Sequence, residues 1–201
     1  MRRSTPDSEE TIPTCRGKQK YMTILGCIAD DLTGATDLAL VLAQAGMRTV
    51  LVLDTPSPES PAPEADAVVV ALKTRTMKPE GAVRLSLEAL DWLQGIGARR
   101  IFFKYCSTFD STEEGNIGPV AEALADQLNP DFTVFCPSFP ANGRTVYQGH
   151  LFVNGRLLSE SSLADHPLTP MKDPDLVRVL QKQCRRQQVG LIPMDIIEQG
   201  T

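Results

Sequence analysis

The stretch CIADDLTGATDLALVLAQAG, residues 27–46, decides the fold. An apolar run over 23–29 ends directly at the acidic pair Asp30 and Asp31, and an amphipathic run follows. A short, nearly continuous apolar run is typical of a strand that is covered on both faces, and apolar residues at helical spacing indicate a helix. The stretch therefore predicts a buried strand that leads through two carboxylates into a helix, with Thr33 as the N-cap.

The rest of the chain repeats this alternation of strand and helix. Further apolar runs predict strands at 48–53, 67–72, 100–104, 132–136 and 189–192. Helical spacing of apolar residues predicts helices at 79–96, 117–128 and 175–187. Apolar strands that alternate with helices indicate a parallel sheet with helices on both faces. The predicted fold is therefore α/β, a Rossmann-like three-layer arrangement.

A different pattern follows the predicted strand at 132–136. The string HLFVNGRLLSE, residues 150–160, places two short apolar runs around Asn154 and Gly155. Asn-Gly between apolar runs is a strong signal for a two-residue hairpin turn. We therefore expect a small β-hairpin insertion in the α/β domain.

Composition excludes several classes of function. The 201 residues carry a net charge of -5 and no long basic run, which argues against nonspecific nucleic-acid binding. No apolar run approaches the roughly 20 residues that span a membrane. The polar residues 1–21 predict a disordered N-terminal extension, and 22–201 predict the folded domain. The cysteines show no CxxC spacing, which favours free thiols in a reducing cytoplasm.

Polar side chains follow several of the predicted strands. Ligands of an open parallel sheet bind outside the carboxyl ends of its strands, so we expect these side chains to share one site. Carboxylates, amides and hydroxyls there can bind hydroxyl groups, while lysine and arginine can neutralise a carboxylate or phosphate. This combination suits a small, polyhydroxylated anion. The candidate residues are Asp30, Asp31, Arg75, Lys104, Asp110, Ser111, Thr112, Asn116, Asn142, Gly143 and Arg144.

The acidic pair lies just before a predicted helix N-terminus, whose positive dipole end stabilises anions. An ionised carboxylate beside a substrate hydroxyl can orient it, or accept its proton, during phosphoryl transfer. The alternative is that one aspartate only caps the helix. The chain has no glycine-rich loop of the G-x-G-x-x-G or G-x-x-x-x-G-K-[ST] type, so it shows no phosphate-binding loop of its own.

Five strings in this order resemble the four-carbon acid sugar kinase family, in its 3-oxo-tetronate kinase branch. They are IADDLTGATD, KTRT, FDSTEEGNIG, NGRTVYQGHLFV and HPLTPM. The resemblance implies an ATP-dependent kinase that phosphorylates the terminal (4-)hydroxyl of a four-carbon acid sugar. It implies two α/β domains, an N-terminal one for the sugar acid and a C-terminal one that holds ATP and Mg²⁺.

The resemblance also implies roles for individual residues. The acidic pair of the family falls on Asp30 and Asp31, and its Asp-Ser-Thr string begins at Asp110. One of these three aspartates would be the base that orients the hydroxyl. Arg75 and Lys104 would hold the substrate carboxylate.

This sequence departs from the family in two respects. Thr112 is followed by Glu113 and Glu114, where many members carry leucine and arginine, which we expect to affect substrate choice. Family members are also about twice as long, and their ATP domain follows the part represented here. We therefore expect the chain to bind the sugar acid weakly and to be inactive alone. The sequence is compatible with a monomer and with a homo-oligomer.

Two other functions are compatible with parts of the sequence. One is a noncatalytic module that binds a small molecule. The other is a receiver-like signalling domain, which also places an acidic pair after its first strand. A receiver needs a phosphoacceptor aspartate at the end of its third strand, whereas here that strand ends in ALKTRT, residues 71–76.

Overall fold

The computed structural model describes residues 23–109 and 112–200. Within these ranges the central sheet has four strands, all of them parallel, in the order β2-β3-β1-β4. The strands are β1 (Leu25–Ala29), β2 (Thr49–Leu53), β3 (Ala67–Ala71) and β4 (Arg100–Lys104). The predicted N-terminal extension, along with Asp110 and Ser111, lies outside the described residues.

Helices cover both faces of this sheet. They are α1 (Leu32–Gln44), α2 (Pro79–Gly95) and α3 (Ile117–Leu128). Two further helices, α4 (Leu176–Gln183) and α5 (Met194–Gln199), follow later in the chain and do not pack on this sheet in the part that the structure describes. On one face, Ala35 and Leu38 of α1 pack against Cys27, Val69 and Ala71 of the strands. On the other face, α2 and α3 pack against the alternate residues of the same strands. The three-layer α/β fold predicted from the sequence is confirmed.

The two central strands explain why the sequence signal is strong. All five residues of β3, AVVVA, are buried, as are four of the five residues of β1. A parallel strand that is covered on both faces has no solvent side, so it is apolar throughout. The first polar residues after such strands therefore lie at the carboxyl edge of the sheet.

The predicted hairpin belongs to a small antiparallel sheet with the order β5-β6-β7. Its strands are β5 (Arg144–Tyr147), β6 (His150–Val153) and β7 (Arg156–Leu157). Asn154 and Gly155 connect β6 to β7 with φ angles of 51° and 80°, which is the backbone that a two-residue hairpin turn requires. This sheet packs with α4 around a second apolar core that contains Leu151 and Leu180.

The prediction of a fifth parallel strand at 132–136 is wrong for the described chain. This segment forms no strand, and its Phe132 and Val134 side chains are 76% and 61% exposed. A cavity lined by both β4 and this segment lies between them. Apolar composition indicated a strand, but a strand also needs a neighbour for its backbone hydrogen bonds.

The C-terminal predictions also need correction. The segment 189–192 forms no strand and is mostly exposed, and α5 follows it without having been predicted. The helix predicted at 175–187 ends at Gln183. Beyond this helix, the Glu122 carboxylate accepts hydrogen bonds from the backbone N–H groups of Arg186 and Gln187. These bonds hold residues 186–187 in a non-helical conformation.

Candidate functional site

Asp30 connects three elements at the carboxyl edge of the sheet. Its backbone N–H donates to the Lys104 carbonyl at 3.0 Å, which joins the ends of β1 and β4. Its own carbonyl accepts from the N–H groups of Thr74 and Arg75, at 3.0 and 3.2 Å, in the loop after β3. The Asp30 side chain is 2% exposed. The sequence places a carboxylate where the three strand ends meet, as predicted.

Asp31 begins the helix. Its Oδ1 accepts a hydrogen bond from the Gly34 N–H at 2.7 Å, so Asp31 is the N-cap of α1. The prediction that Thr33 is the cap is wrong, because the helix already begins at Leu32. The side chain of Asp31 is 25% exposed, and it is therefore the member of the acidic pair that a ligand can reach.

Arg75 binds both aspartates through its guanidinium group. Its Nε and Nη2 donate to the two carboxylate oxygens of Asp30 at 3.1 and 2.7 Å, a bidentate pair. Its Nη1 donates to Asp31 Oδ2 at 2.8 Å. All three guanidinium nitrogens therefore have a carboxylate partner. These bonds use three of the five guanidinium N–H donors, so two remain for the expected role of Arg75, which is to hold a substrate carboxylate.

Burial and pairing act in opposite directions on this cluster. Burial raises the pKa of Asp30 above its usual value, and the hydrogen bonds and charge of Arg75 oppose that rise. Burial lowers the pKa of Arg75, but the hydrogen bonds and charge of Asp30 outweigh it and the pKa is raised. A buried charge is stable only when it is paired in this way. Asp30 and Arg75 therefore depend on each other to remain charged in this buried position.

Lys104 adds a second cation at the end of β4. Its Nζ donates to the Tyr105 carbonyl oxygen at 2.7 Å, and an ammonium group has further N–H donors for another acceptor. Gly34 makes room for it: a Cβ there would lie 3.2 Å from Lys104 Nζ and 2.8 Å from Asp31 Oδ1. A side chain at Gly34 would therefore displace the cap, the lysine or both.

Asn116 supports the loop that carries Arg75. Its buried side-chain amide donates to the Thr74 carbonyl at 2.6 Å and lies 3.3 Å from the carbonyls of Arg75 and Met77. Asn116 was predicted to bind substrate. That role stays a prediction, and the observed partners of its amide are backbone carbonyls, which suit a residue that positions Arg75.

The remaining predicted residues have hydrogen-bond partners other than this cluster. The Thr112 carbonyl accepts from the Gln183 side chain on α4. Asn142, Gly143 and Arg144 lie at the start of the antiparallel sheet, where the Arg144 guanidinium donates to the Asn142 carbonyl. Within the described ranges, no hydrogen bond or ion pair joins these four residues to the aspartates or to Lys104. The predicted roles of Asp110 and Ser111 fall on residues that the structure does not describe.

Gly34 is a site residue that the sequence reasoning missed. Glycine disfavours a helix by roughly 1 kcal/mol relative to alanine, so its presence in the first turn of a helix is a signal of a close contact. The other available signal is its position three residues after Asp31. Neither signal identifies Lys104 as the neighbour, because that contact spans 70 residues of chain.

A cavity of about 640 Å³ opens beside Lys104. Its walls are mostly apolar and come from α1, β4, α3 and the segment 130–139. Asp30, Asp31 and Arg75 do not line it, so the cavity lies next to the charged cluster and not over it. Among the described residues, no group of three or more acidic, histidine or cysteine side chains could hold a metal ion.

Comparison with models of protein families shows to which family the chain belongs. The model of the family described as "Sugar-binding N-terminal domain" matches residues 25–201. The chain belongs to the sugar-binding N-terminal domain family. The cluster at the end of β1 therefore lies in a domain whose family is defined by sugar binding.

Curated and solved relatives share this domain. A Burkholderia multivorans protein named 3-oxo-tetronate kinase is 59% identical over 177 residues, which are 88% of this chain and 41% of the relative. A crystal structure from Salmonella typhimurium LT2, described as a tRNA synthase, is 49% identical with a TM-score of 0.84, over 89% of this chain and 42% of that one. This sugar-binding domain thus spans about two fifths of the length of the relatives it matches.

A more distant structure shows a bound carboxylate. This Bordetella bronchiseptica protein is 30% identical with a TM-score of 0.69, over 78% of this chain and 39% of that one, and it was solved as a domain-swapped dimer with bound citrate.

In the part of the present sugar-binding domain that the structure describes, no helix has the length and apolar character that a membrane-spanning helix needs.

Proposed function

We propose that this chain is the substrate-binding part of an ATP-dependent kinase that phosphorylates the terminal hydroxyl of a four-carbon acid sugar such as 3-oxo-tetronate. The observation that carries the proposal is the cluster of Asp30, Asp31, Arg75 and Lys104 at the carboxyl edge of the sheet. The name of the Burkholderia multivorans relative supports the substrate and the reaction.

Lys104 and Asp31 are the residues we assign to direct substrate contact. The ammonium group of Lys104 donates to one backbone carbonyl and has further N–H donors, which can pair with the carboxylate of the sugar acid. Asp31 is partly exposed, and its carboxylate can accept a hydrogen bond from a substrate hydroxyl. Together they would recognise an acid and an alcohol on one small molecule.

Asp30 and Arg75 are positioning residues in this proposal. Asp30 is buried and bidentately paired, so a substrate hydroxyl cannot reach it without opening the pair. Arg75 fixes the orientation of Asp31 by a hydrogen bond, and both carboxylates share its single positive charge. This assignment favours Asp31 or Asp110 over Asp30 as the residue that orients the reacting hydroxyl.

ATP and Mg²⁺ do not fit the described residues by themselves. The sequence has no phosphate-binding glycine loop, and both carboxylates of the cluster already accept hydrogen bonds from Arg75. We propose that polypeptide outside this chain holds both.

Since kinases of small metabolites work where ATP is available and the described cysteines are free thiols, we also propose a cytoplasmic location.

Three alternatives are less well supported. A noncatalytic binding module would use the same site without a kinase partner. A tRNA-directed activity, suggested by the description of the Salmonella typhimurium structure, would need a basic surface, and the net charge of -5 argues against it. A receiver domain would need an acid after β3, where the chain instead has Lys73, Thr74 and Arg75.

Calorimetric titration with 3-oxo-tetronate and related tetronates tests the proposal. We expect saturable binding at millimolar ligand that Lys104→Ala weakens about tenfold, because one charge-assisted hydrogen bond is lost. The control is Arg84→Ala on α2, which removes an exposed cation that pairs with Glu88, and it should leave the affinity unchanged.

Two enzymatic assays separate the alternatives. With ATP, Mg²⁺ and tetronates, we expect no turnover by this chain alone; turnover would contradict the assignment of ATP binding to other polypeptide. With acetyl phosphate, stable phosphorylation of the chain would favour a receiver domain. Absence of any tetronate binding would overturn the proposed function.

A further inference from the structure

The outer edge of β4 faces the 640 Å³ cavity, and no strand within residues 23–109 and 112–200 pairs with it there. The Arg100 N–H and the Lys104 carbonyl bond toward β1, the latter to the Asp30 N–H. Successive residues of a strand direct their peptide groups to opposite sides. The peptide groups of Ile101 and Phe103 therefore point away from β1 and into the cavity.

The opposite wall of the cavity is the segment 130–139. The N–H of Cys136 donates to the Tyr105 hydroxyl at 2.9 Å, so the side chain of Tyr105 spans the distance between the two backbones. The Tyr105 and Phe135 rings also stack, with centroids 5.8 Å apart. Neighbouring strands lie about 4.8 Å apart, so a gap that holds one additional strand measures about 10 Å. A tyrosine side chain plus one hydrogen bond has a comparable length.

The other two walls are helices. Leu38 and Val41 of α1 line the cavity on one side of the sheet, and Leu124 and Leu128 of α3 line it on the other. These two helices cover opposite faces of the central sheet. A chain segment in the cavity would thus be covered on both faces, which is the environment of an interior parallel strand.

Large apolar side chains around the cavity are exposed in this chain. Phe102 is 45% exposed, Val41 46%, Val134 61% and Phe132 76%. An unpaired strand edge flanked by exposed apolar side chains is a template for another strand. The segment 132–136 has the composition of a strand and lies one strand too far from β4 to pair with it.

We propose that this cavity receives one extended, apolar segment that pairs with β4 and with 132–136 and completes the parallel sheet. The occupant we assign is polypeptide of the longer protein, outside the stretch that this chain represents. The relatives contain more than twice the matched length, so they carry ample additional chain. The segment should be apolar on both faces, because α1 and α3 cover both.

A strand in the cavity would also affect the candidate site. The segment 132–136 leads directly into Ser138 and the loop before β5, which lie near Lys104 across the cavity. A strand in the cavity would fix that loop at the same carboxyl edge as Asp31. The part of the site that the sequence predicted at 142–144 is thus expected to form only when the sheet is complete.

Peptide binding tests this inference. The probes are overlapping dodecapeptides that tile the part of the Burkholderia multivorans relative outside the matched stretch, each labelled for fluorescence anisotropy. We expect one contiguous apolar stretch to bind. Val134→Lys should weaken that binding about tenfold or more by placing a charge in the cavity. Leu53→Lys, an equally exposed apolar position on β2 outside the cavity, should leave it unchanged. Circular dichroism checks that both variants fold.

Hydrogen exchange supplies a second readout on the unmodified chain. The amides of Ile101 and Phe103 should become protected when the binding peptide is added. Absence of peptide binding, binding that Val134→Lys does not alter, or binding without protection of these amides would overturn the proposal. A dimer in sedimentation experiments that Val134→Lys dissociates would also overturn it, in favour of a second copy as the occupant.

Discussion

The centre of the parallel sheet and its β4 edge differ in whether their polar groups have partners within the described chain. At the centre, the ends of β1 and β3 present buried charges, and each charge has a partner within the described chain. At the edge, β4 has no further strand beside it in the described part of the chain, and it presents peptide groups and exposed apolar side chains to a cavity. The comparison teaches that the charged cluster is self-sufficient, whereas the surface beside it is built for additional polypeptide.

Removing Arg75 should have the largest effect on the centre. Arg75→Met leaves the buried Asp30 carboxylate unpaired, and breaking a buried pair from one side costs about 3–5 kcal/mol. The free energy of unfolding from urea denaturation measures the loss. The control Arg84→Met removes an exposed pair with Glu88 and should cost no more than about 0.5 kcal/mol.

A double variant sharpens the same test. Asp30→Asn combined with Arg75→Met removes both charges, so it should be more stable than Arg75→Met alone. A loss below about 1 kcal/mol for Arg75→Met would show that the pair does not stabilise the centre of the sheet.

Asn116→Ala should have an intermediate effect. It leaves the Thr74 carbonyl without its 2.6 Å hydrogen bond in a buried position, which costs about 1–3 kcal/mol. If Asn116 positions Arg75, tetronate binding should weaken in the folded variant as well. Unchanged affinity together with lost stability would restrict Asn116 to a structural role.

Charges in the cavity should have a small effect on stability. Val134→Lys changes a side chain that is 61% exposed, so the free energy of unfolding should change by no more than about 0.5 kcal/mol. The matched substitution Val69→Lys places the same charge in the fully buried centre of β3, and we expect that variant not to fold. Equal effects at the two positions would contradict the distinction between centre and edge.

The smallest expected effect concerns acid stability away from both regions. Hydrogen bonds from Arg48 lower the pKa of Asp66 to about 2. A carboxyl group whose pKa is lowered by folding adds stability above its unfolded-state pKa of about 4, and that stability is lost as the pH falls toward 2. The stability difference between wild type and Asp66→Asn should therefore shrink over this range in urea titrations. A constant difference would contradict the ion pair.

Local patterns were sufficient to predict the core of the fold. β1 and β3 are apolar on both faces, so their runs and the polar residues after them locate the carboxyl edge without any knowledge of contacts. The acidic pair at Asp30 and Asp31 follows from that position alone. The turn at Asn154 and Gly155 was predicted for the same reason, because its backbone requirement is local.

Long-range partners were not predictable in this way. The sequence placed Arg75 at the site but could not show that its guanidinium group is occupied by two aspartates 44 and 45 residues away. It also predicted a strand at 132–136 from composition, although strand formation depends on a neighbour. Both differences arise from contacts between segments that are distant in the chain.

The central claim is that the carboxyl-edge cluster binds the sugar acid. Titration of the isotopically labelled chain with 3-oxo-tetronate, followed by backbone amide NMR, tests it most directly. The account predicts saturable shifts at Gly34, Arg75 and Lys104, whose groups surround Asp31. Saturable shifts confined to the antiparallel sheet, with none at these three amides, would contradict it.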